Sequence, residues 1–360
     1  MHAQNRTHIL LLMMLLIFLT PQKVMAESVF TLGVWANYSY LPGDKTSQDT
    51  WGRIGDEAAI LYAQGQADEN EGTWSYGAEL RIGPGSFTDP ENNSTGDRIA
   101  LHEAWAAWQL TEHQLLVVGK NQVPFGWKTV NFWPGDIHLA GFGDQMDVGV
   151  RLSGNALPWR YDVGFYLADD WGTSTDTVDD NRHWGSTDTF RKVRTWVGNL
   201  VYNFGGRHAL GFSIQAGKLQ DLTDIGGNKV DGDHRAAAIH YQSNFDNFYT
   251  GVSYISMQRH LPTHYLQQAQ LPDSIENQRL AGKLGYEQGK WNFYVDLSLA
   301  EPDSSREMKR IYAAAPGFRY DYGPGWIYVE YLYQTGDLNR DGMVVKGHFD
   351  AVYVTVDFYL

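Results

Sequence analysis

From Phe30 to Tyr40 the chain alternates, with Phe30, Leu32, Val34, Ala36, Tyr38 and Tyr40 apolar and Thr31, Gly33, Asn37 and Ser39 polar or small; only Trp35 breaks the rule. A period of two sends successive side chains to opposite faces of a strand. The same alternation returns at Trp74, Tyr76, Ala78, Leu80 and Ile82, at Met146, Val148, Val150 and Leu152, and at Trp291, Phe293, Val295, Leu297 and Leu299. Laid out along the chain it predicts sixteen strands, near 28–40, 57–66, 73–83, 99–110, 114–123, 146–155, 160–169, 192–204, 208–219, 234–245, 248–259, 278–288, 291–300, 307–321, 326–336 and 348–360.

The connections alternate as well. Short ones fall at 111–113, 156–159, 205–207, 246–247, 289–290 and 323–325, each rich in turn formers; long ones fall at 84–98, 124–145, 170–191, 220–233, 260–277 and 337–347. Segregated loop lengths, an even strand count and strands of about ten residues predict an all-β fold, a transmembrane antiparallel β-barrel with short periplasmic turns and long extracellular loops. A soluble sandwich would explain the alternation but not the segregation. Closure follows from the solvent: in lipid every backbone amide needs a partner within the protein, so a sheet with one apolar face must close. In the last strand Val352, Val354, Val356, Phe358 and Leu360 are expected to face lipid, and Tyr353, Thr355 and Asp357 to face inward. Sixteen strands enclose a lumen too wide for side chains to fill.

The segment from Pro124 to Gln145 breaks the pattern. Its strand stops at Pro124-Phe125-Gly126-Trp127, and no period follows for twenty-two residues. Phe125, Trp127, Phe132, Trp133 and Phe142 make it too aromatic for a solvated coil, so it is expected to be an ordered loop, folded inward, packed on the barrel by Pro124, Phe125, Gly126, Trp127 and Trp133.

Composition adds the compartment. Arg6, the uncharged run Ile9 to Thr20 and the small residues Val24-Met25-Ala26 read as a secretory signal peptide, residues 1–26, cleaved near Ala26; the run is too short to span a bilayer as a helix. Residues 27–360 then form one barrel. Without Arg6 and Lys23 the 28 basic residues become 26 against 42 acidic, a net charge of −16, which argues against nucleic acid as a partner. With no cysteine there is no disulfide framework, and 21 Tyr with 13 Trp suit a protein that places amphipathic rings at two membrane interfaces.

The run Val118-Gly119-Lys120-Asn121-Gln122-Val123-Pro124-Phe125-Gly126 resembles the strand and turn of the phosphate-selective porin family (porins O and P), which read Val-Gly-Gln-Phe-Lys-x-Pro-Phe-Gly. Glu103 to Trp108 is similar to that family's Ala-Tyr-x-x-Tyr strand, and Asp147-Val148-Gly149-Val150 to its Asp-x-Gly-Val strand. The resemblance implies a sixteen-stranded homotrimeric outer-membrane barrel whose third loop narrows the pore. Gln122 stands where the family has a lumen-facing Lys, Asn121 where it has a lipid-facing Phe, and the chain ends in Leu360 where such barrels commonly end in Phe.

The side chains that ring a constriction decide what passes. Inward positions carry Arg81, Lys120, Arg151, Arg279, Lys283, Lys309 and Arg319 against Glu79, Glu103, Asp162, Glu287, Asp296, Asp321, Glu330 and Asp357, with Gln122 among them. That is a mixed wall, whereas a phosphate channel calls for a ladder of donors. Lys128, Asp136, His138 and Asp144 are the constriction candidates on the loop, where charges of both signs would set a transverse field. The expected function is passive diffusion of small hydrophilic solutes and ions through a water-filled channel in the outer membrane of a Gram-negative bacterium. The alternatives are a channel selective for anions, phosphate or sugars, a barrel enzyme and an adhesin. The expected partners are outer-membrane lipid and lipopolysaccharide, the barrel-assembly machinery and the solutes themselves. No cofactor is expected; Asp337, Asn339 and Asp341 match only the first half of a calcium loop, with His348 at the twelfth position, and the acidic residues Asp169, Asp170, Asp176, Asp179, Asp180 and Asp188 are a second weak divalent site. An enzyme would need a supported pair at the rim, for which Asp231, Asp233 and His234, and His102 beside Glu103, are the material.

Overall fold

The structure is a computed structural model that describes residues 27–66, 73–84, 99–126, 146–168, 191–223, 228–261, 274–302, 310–338 and 344–360. In order, the elements are β1 Glu27–Tyr40, α1 Lys45–Thr50, β2 Arg53–Gln66, β3 Trp74–Ile82, β4 Ile99–Thr111, β5 Gln114–Gln122, β6 Met146–Ala156, β7 Trp159–Ala168 and β8 Arg191–Phe204. Then come β9 His208–Thr223, β10 Lys229–Phe245, β11 Phe248–His260, β12 Ser274–Gln288, β13 Trp291–Pro302, β14 Ile311–Asp321, β15 Trp326–Leu338 and β16 Val344–Tyr359.

Every strand pairs antiparallel with its neighbours in sequence, and β1 pairs with β16 from Gly33↔Tyr359 to Tyr40↔Val352, closing a sixteen-stranded barrel. The last backbone donor is used as well, since Leu360 N–H donates to Leu32 O (2.8 Å). No sheet edge remains open, which is what a hydrocarbon surround requires.

Alternation sorts the two faces as the sequence suggests. In β1, Phe30, Leu32 and Val34 are exposed on the outside while Trp35, Asn37 and Ser39 are buried inside. In β16, Val356 is exposed and Tyr353, Thr355 and Asp357 are buried. Rings gather near the short turns: Trp159 packs on Tyr202 (4.6 Å between centroids), Phe248 on Tyr286 (4.7 Å) and Trp291 on Tyr320 (4.5 Å), the position of an interfacial girdle.

All sixteen expected strands are present, and the differences lie at the long-loop ends. There β10 starts at Lys229 rather than near 234, β12 at Ser274 rather than 278, β16 at Val344 rather than 348, and β9 runs on to Thr223. These extensions are paired, as in Lys229↔Thr223, so the ladder outruns the nine to eleven residues or so that a bilayer needs. β14, expected from 307, starts at Ile311. The connection after β1 holds α1, a short helix the alternation does not announce; Asp44 caps it, its Oδ1 accepting from Ser47 N–H (2.6 Å).

On the inner wall several rings lie flat over a glycine of the next strand. A Cβ at Gly285 would sit 1.9 Å from Cζ of Tyr249, and one at Gly211 would sit 2.1 Å from the His240 ring. Tyr294 lies over Gly317 and Tyr166 over Gly149 in the same manner. Each ring is therefore spread along the wall, with its width kept out of the lumen.

Candidate functional site

The site is built where β5 ends. Leu116 and Val118 still pair on the outer face with Leu152 and Val150, and Val117 is buried inside opposite Arg151. Gly119 interrupts this: its φ is +119°, and a Cβ there would lie 2.3 Å from Ala104 O. Beyond it both faces are covered, because Lys120 and Asn121, and Met146 and Asp147 across the ladder, are all buried. Asn121 corrects the family slot. It does not face lipid; it is 1% exposed, its Nδ2 donates to Gly119 O (2.8 Å), and its Oδ1 accepts from Tyr166 O–H (3.1 Å). The positive φ at Gly119 is the physical reason, since it ends the strict inside–outside count.

The chain then turns inward. Phe125 N–H donates to Val123 O (2.9 Å), a tight turn that Pro124, lacking a donor, leaves unopposed. Val123 and Phe125 are buried against Tyr166, Val197, Ala236, Ala238, Ile255 and Met257, side chains of β7, β8, β10 and β11. Gly126, with φ of 71°, donates its N–H to Ser213 Oγ on β9 (3.0 Å), eighty-seven residues along the chain.

That bond starts a row. Ser213 O–H donates to Asn199 Oδ1 (2.9 Å), Asn199 Nδ2 donates to Asp162 Oδ2 (3.1 Å), and Ser153 O–H donates to Asp162 Oδ1 (2.6 Å). The four residues lie at one level across four strands, in the register Ser153↔Asp162, Asp162↔Asn199 and Asn199↔Ser213. Beside the row is a cavity of about 410 Å³ that Gln122, Phe125, Arg151, Arg160, Asp162 and Asn199 help to line. Arg151 Nη1 donates to Gln122 O (3.0 Å), which also accepts from Tyr166 O–H (3.0 Å).

The other expected wall residues spread around the barrel. Arg81 binds Glu79 (2.6 Å) and stacks over Trp35 (5.3 Å), with Glu103 opposite Glu79 in the β3–β4 register. Lys283 lies over Tyr249 (5.0 Å) and opposite Asp296; Arg319 lies over Trp326 (5.8 Å). Arg279 is buried, and Glu330, also buried, accepts from Tyr294 O–H. Thus the mixed wall is largely one of paired charges, and of the expected wall residues Gln122, Arg151 and Asp162 are brought together with Pro124, Phe125 and Gly126.

Trp127, Lys128, Trp133, Asp136, His138 and Asp144 lie outside the described residues, as do Lys309, Asn339, Asp341 and the acidic residues from Asp169 to Asp188. Asp337 pairs with Val345 in the last turn of the β15–β16 ladder. Among the described residues no group of three His, Asp or Glu side chains is gathered as a metal would need. Of the rim candidates, Asp233 contacts His260 (3.1 Å) on the surface, and His234 is buried against Thr195 Oγ1 (3.0 Å). His102 is buried beside the partly exposed Glu103.

Sequence reasoning missed Arg160, Ser153, Asn199 and Ser213. Arg160 was findable, because it shares the parity of Asp162 in β7, as Ser153 shares that of Arg151 in β6; that Asn199 and Ser213 join them becomes visible only through register.

No protein-family model matches this chain, and no curated protein matches it. Solved structures do. An anion-selective porin from Comamonas acidovorans matches at 12% identity and a TM-score of 0.63, covering 93% of this chain and 100% of that one. OmpT, an outer membrane protein of Vibrio cholerae solved in a trimer form, matches at 13% and 0.61, covering 93% and 99%. The outer membrane channel DcaP of Acinetobacter baumannii matches at 12% and 0.60, covering 95% and 99%. At such identities the likeness establishes the fold alone, and these outer-membrane barrels share the closed antiparallel architecture found here.

Proposed function

We propose that this chain is an outer-membrane porin, a passive channel for small hydrophilic solutes and ions, with residues 124–145 as its constriction. The observation that carries the reading is the inward course of residues 123–126, where a strand leaves the wall and fixes itself by Phe125 and Gly126 to strands β8 to β11. A barrel filled only for rigidity has no need of that excursion. The apolar outer face and polar inner face support placement in the outer membrane, in contact with lipid and lipopolysaccharide after delivery by the barrel-assembly machinery. Lys128, Asp136, His138 and Asp144 would set the field at the narrowest point, and Trp127 and Trp133 would hold the loop down. The trimer form in which the Vibrio OmpT was solved favours a homotrimer here as well.

Planar-bilayer recording tests the reading: purified protein should give stepwise ion current, and silence in every salt would refute it. Removing residues 132–142 should raise the conductance, and an unchanged value would place the loop outside the lumen.

A further inference from the structure

The cations of the lumen are not alike. Arg81 is paired with Glu79, Lys283 lies opposite Asp296 and over the Tyr249 ring, and Arg319 lies over Trp326. Arg151 and Arg160 differ from these. Arg151 donates one N–H to a backbone carbonyl, that of Gln122, and its Nε is enclosed with no partner. Arg160 is exposed, and no hydrogen bond or ion pair ties it to another described residue. Both line the same cavity of about 410 Å³.

The one carboxylate that the described residues bring to that cavity does not answer them. Asp162 spends its two oxygens on Ser153 O–H and Asn199 Nδ2, the transverse row that also holds Gly126. Among the described residues, two guanidinium groups against one carboxylate give the cavity a net positive lining, in a chain whose formal charge is −14. A guanidinium carries five N–H donors in a planar fork that matches the two oxygens of a carboxylate. The space suits a small guest: at about 30 Å³ per water it holds roughly a dozen waters or an acid of a few carbons.

We propose that the Arg151–Arg160 cavity is a binding subsite for small carboxylates, and that a solute bearing one pauses here beside the loop base. This rests on the channel reading only for its transport consequence; binding itself does not need conduction. The apolar wall that Val123 and Phe125 give the cavity favours an organic acid over inorganic phosphate.

The test is calorimetric titration of folded, detergent-solubilised protein with succinate at neutral pH and low salt, with inorganic phosphate run in parallel. Saturable succinate binding is expected, about tenfold weaker or more in Arg151→Gln and in Arg160→Gln, since each removes a charge-assisted hydrogen bond. Asp162→Asn should tighten it by removing the competing charge. Arg160→Lys, which keeps the charge and loses the fork, should fall between wild type and Arg160→Gln. No saturable heat in the wild type, equal affinity in the double Arg151→Gln, Arg160→Gln variant, or phosphate binding tighter than succinate would each overturn the proposal. Bilayer recording of the same samples separates the two readings: succinate binding without ion current keeps the subsite and rejects the channel, and current without binding keeps the channel and rejects the subsite.

Discussion

Truncating Phe125 to alanine probes the constriction most directly. The ring is 4% exposed and packed against aliphatic and aromatic side chains of four strands. An aromatic side chain of this size buries roughly 150 to 250 Å², and Phe→Ala in a packed setting costs about 3 to 5 kcal/mol. The loss does not fall on the barrel, whose sixteen ladders close without Phe125. It falls on the local equilibrium between docked and undocked loop base, where about 3 kcal/mol is worth roughly a hundredfold. Val123 packing and the Gly126–Ser213 hydrogen bond, the latter a net contribution of about 1 kcal/mol, are then left to hold the base. The variant is therefore expected to release the loop while the barrel stays folded. Two assays read this. Single-channel conductance should rise, and trypsin should cleave after Lys128, two residues beyond Gly126, much faster than in the wild type. Phe125→Leu, which keeps most of the apolar volume, should show a small part of each effect. If Phe125→Ala lowers the unfolding temperature and leaves conductance and cleavage rate unchanged, Phe125 is wall packing and the inward course of residues 123–126 has no bearing on the pore.

Three further variants probe the same region and the wall. Ser213→Ala removes the acceptor of Gly126 N–H and the donor to Asn199, and should weaken loop docking by about 1 to 3 kcal/mol, read as accelerated cleavage at Lys128; an unaltered rate would deny the bond a role. Gly285→Ala places a Cβ 1.9 Å from the Tyr249 ring, so the ring must leave the wall and its bond to Asn292 Oδ1 (2.8 Å). Lower urea resistance by about 1 to 3 kcal/mol is expected, together with a changed conductance; wild-type values for both would show that the ring has room to move. Gly119→Ala combines a φ of +119° with a backbone oxygen 2.3 Å away and should cut refolding yield sharply, measured as the heat-modifiable fraction on electrophoresis. A normal yield would mean that the turn at Gly119 relaxes at little cost.

The barrel was legible because its physics is local. Lipid outside and water inside force a period of two, which survives in short windows such as Phe30–Tyr40 and Trp291–Leu299, and it gave all sixteen strands. Strand ends were less legible: pairing above the membrane, as at Lys229↔Thr223, needs no apolar face. The site was half legible. Pro124-Phe125-Gly126 announced a break and Arg151 its inward parity, but Phe125 meets Ala236 and Met257, and Gly126 meets Ser213, only through a crossing that no local period encodes. The lipid-facing slot that the resembled family gives to Asn121's position does not carry over, for a related reason. Counting parity past Gly119 assumes an undistorted strand, and one positive φ removes that assumption.

The rings that lie over glycines tie together positions far apart in the chain. Tyr249 with Gly285, Tyr294 with Gly317, Tyr166 with Gly149 and His240 with Gly211 each span seventeen to thirty-six residues. A side chain at the glycine evicts the ring, and a small residue at the ring position leaves the glycine bare. Neither change is comfortable by itself. Divergence of this barrel should therefore proceed at these sites by paired substitution, so that its bore is inherited two residues at a time.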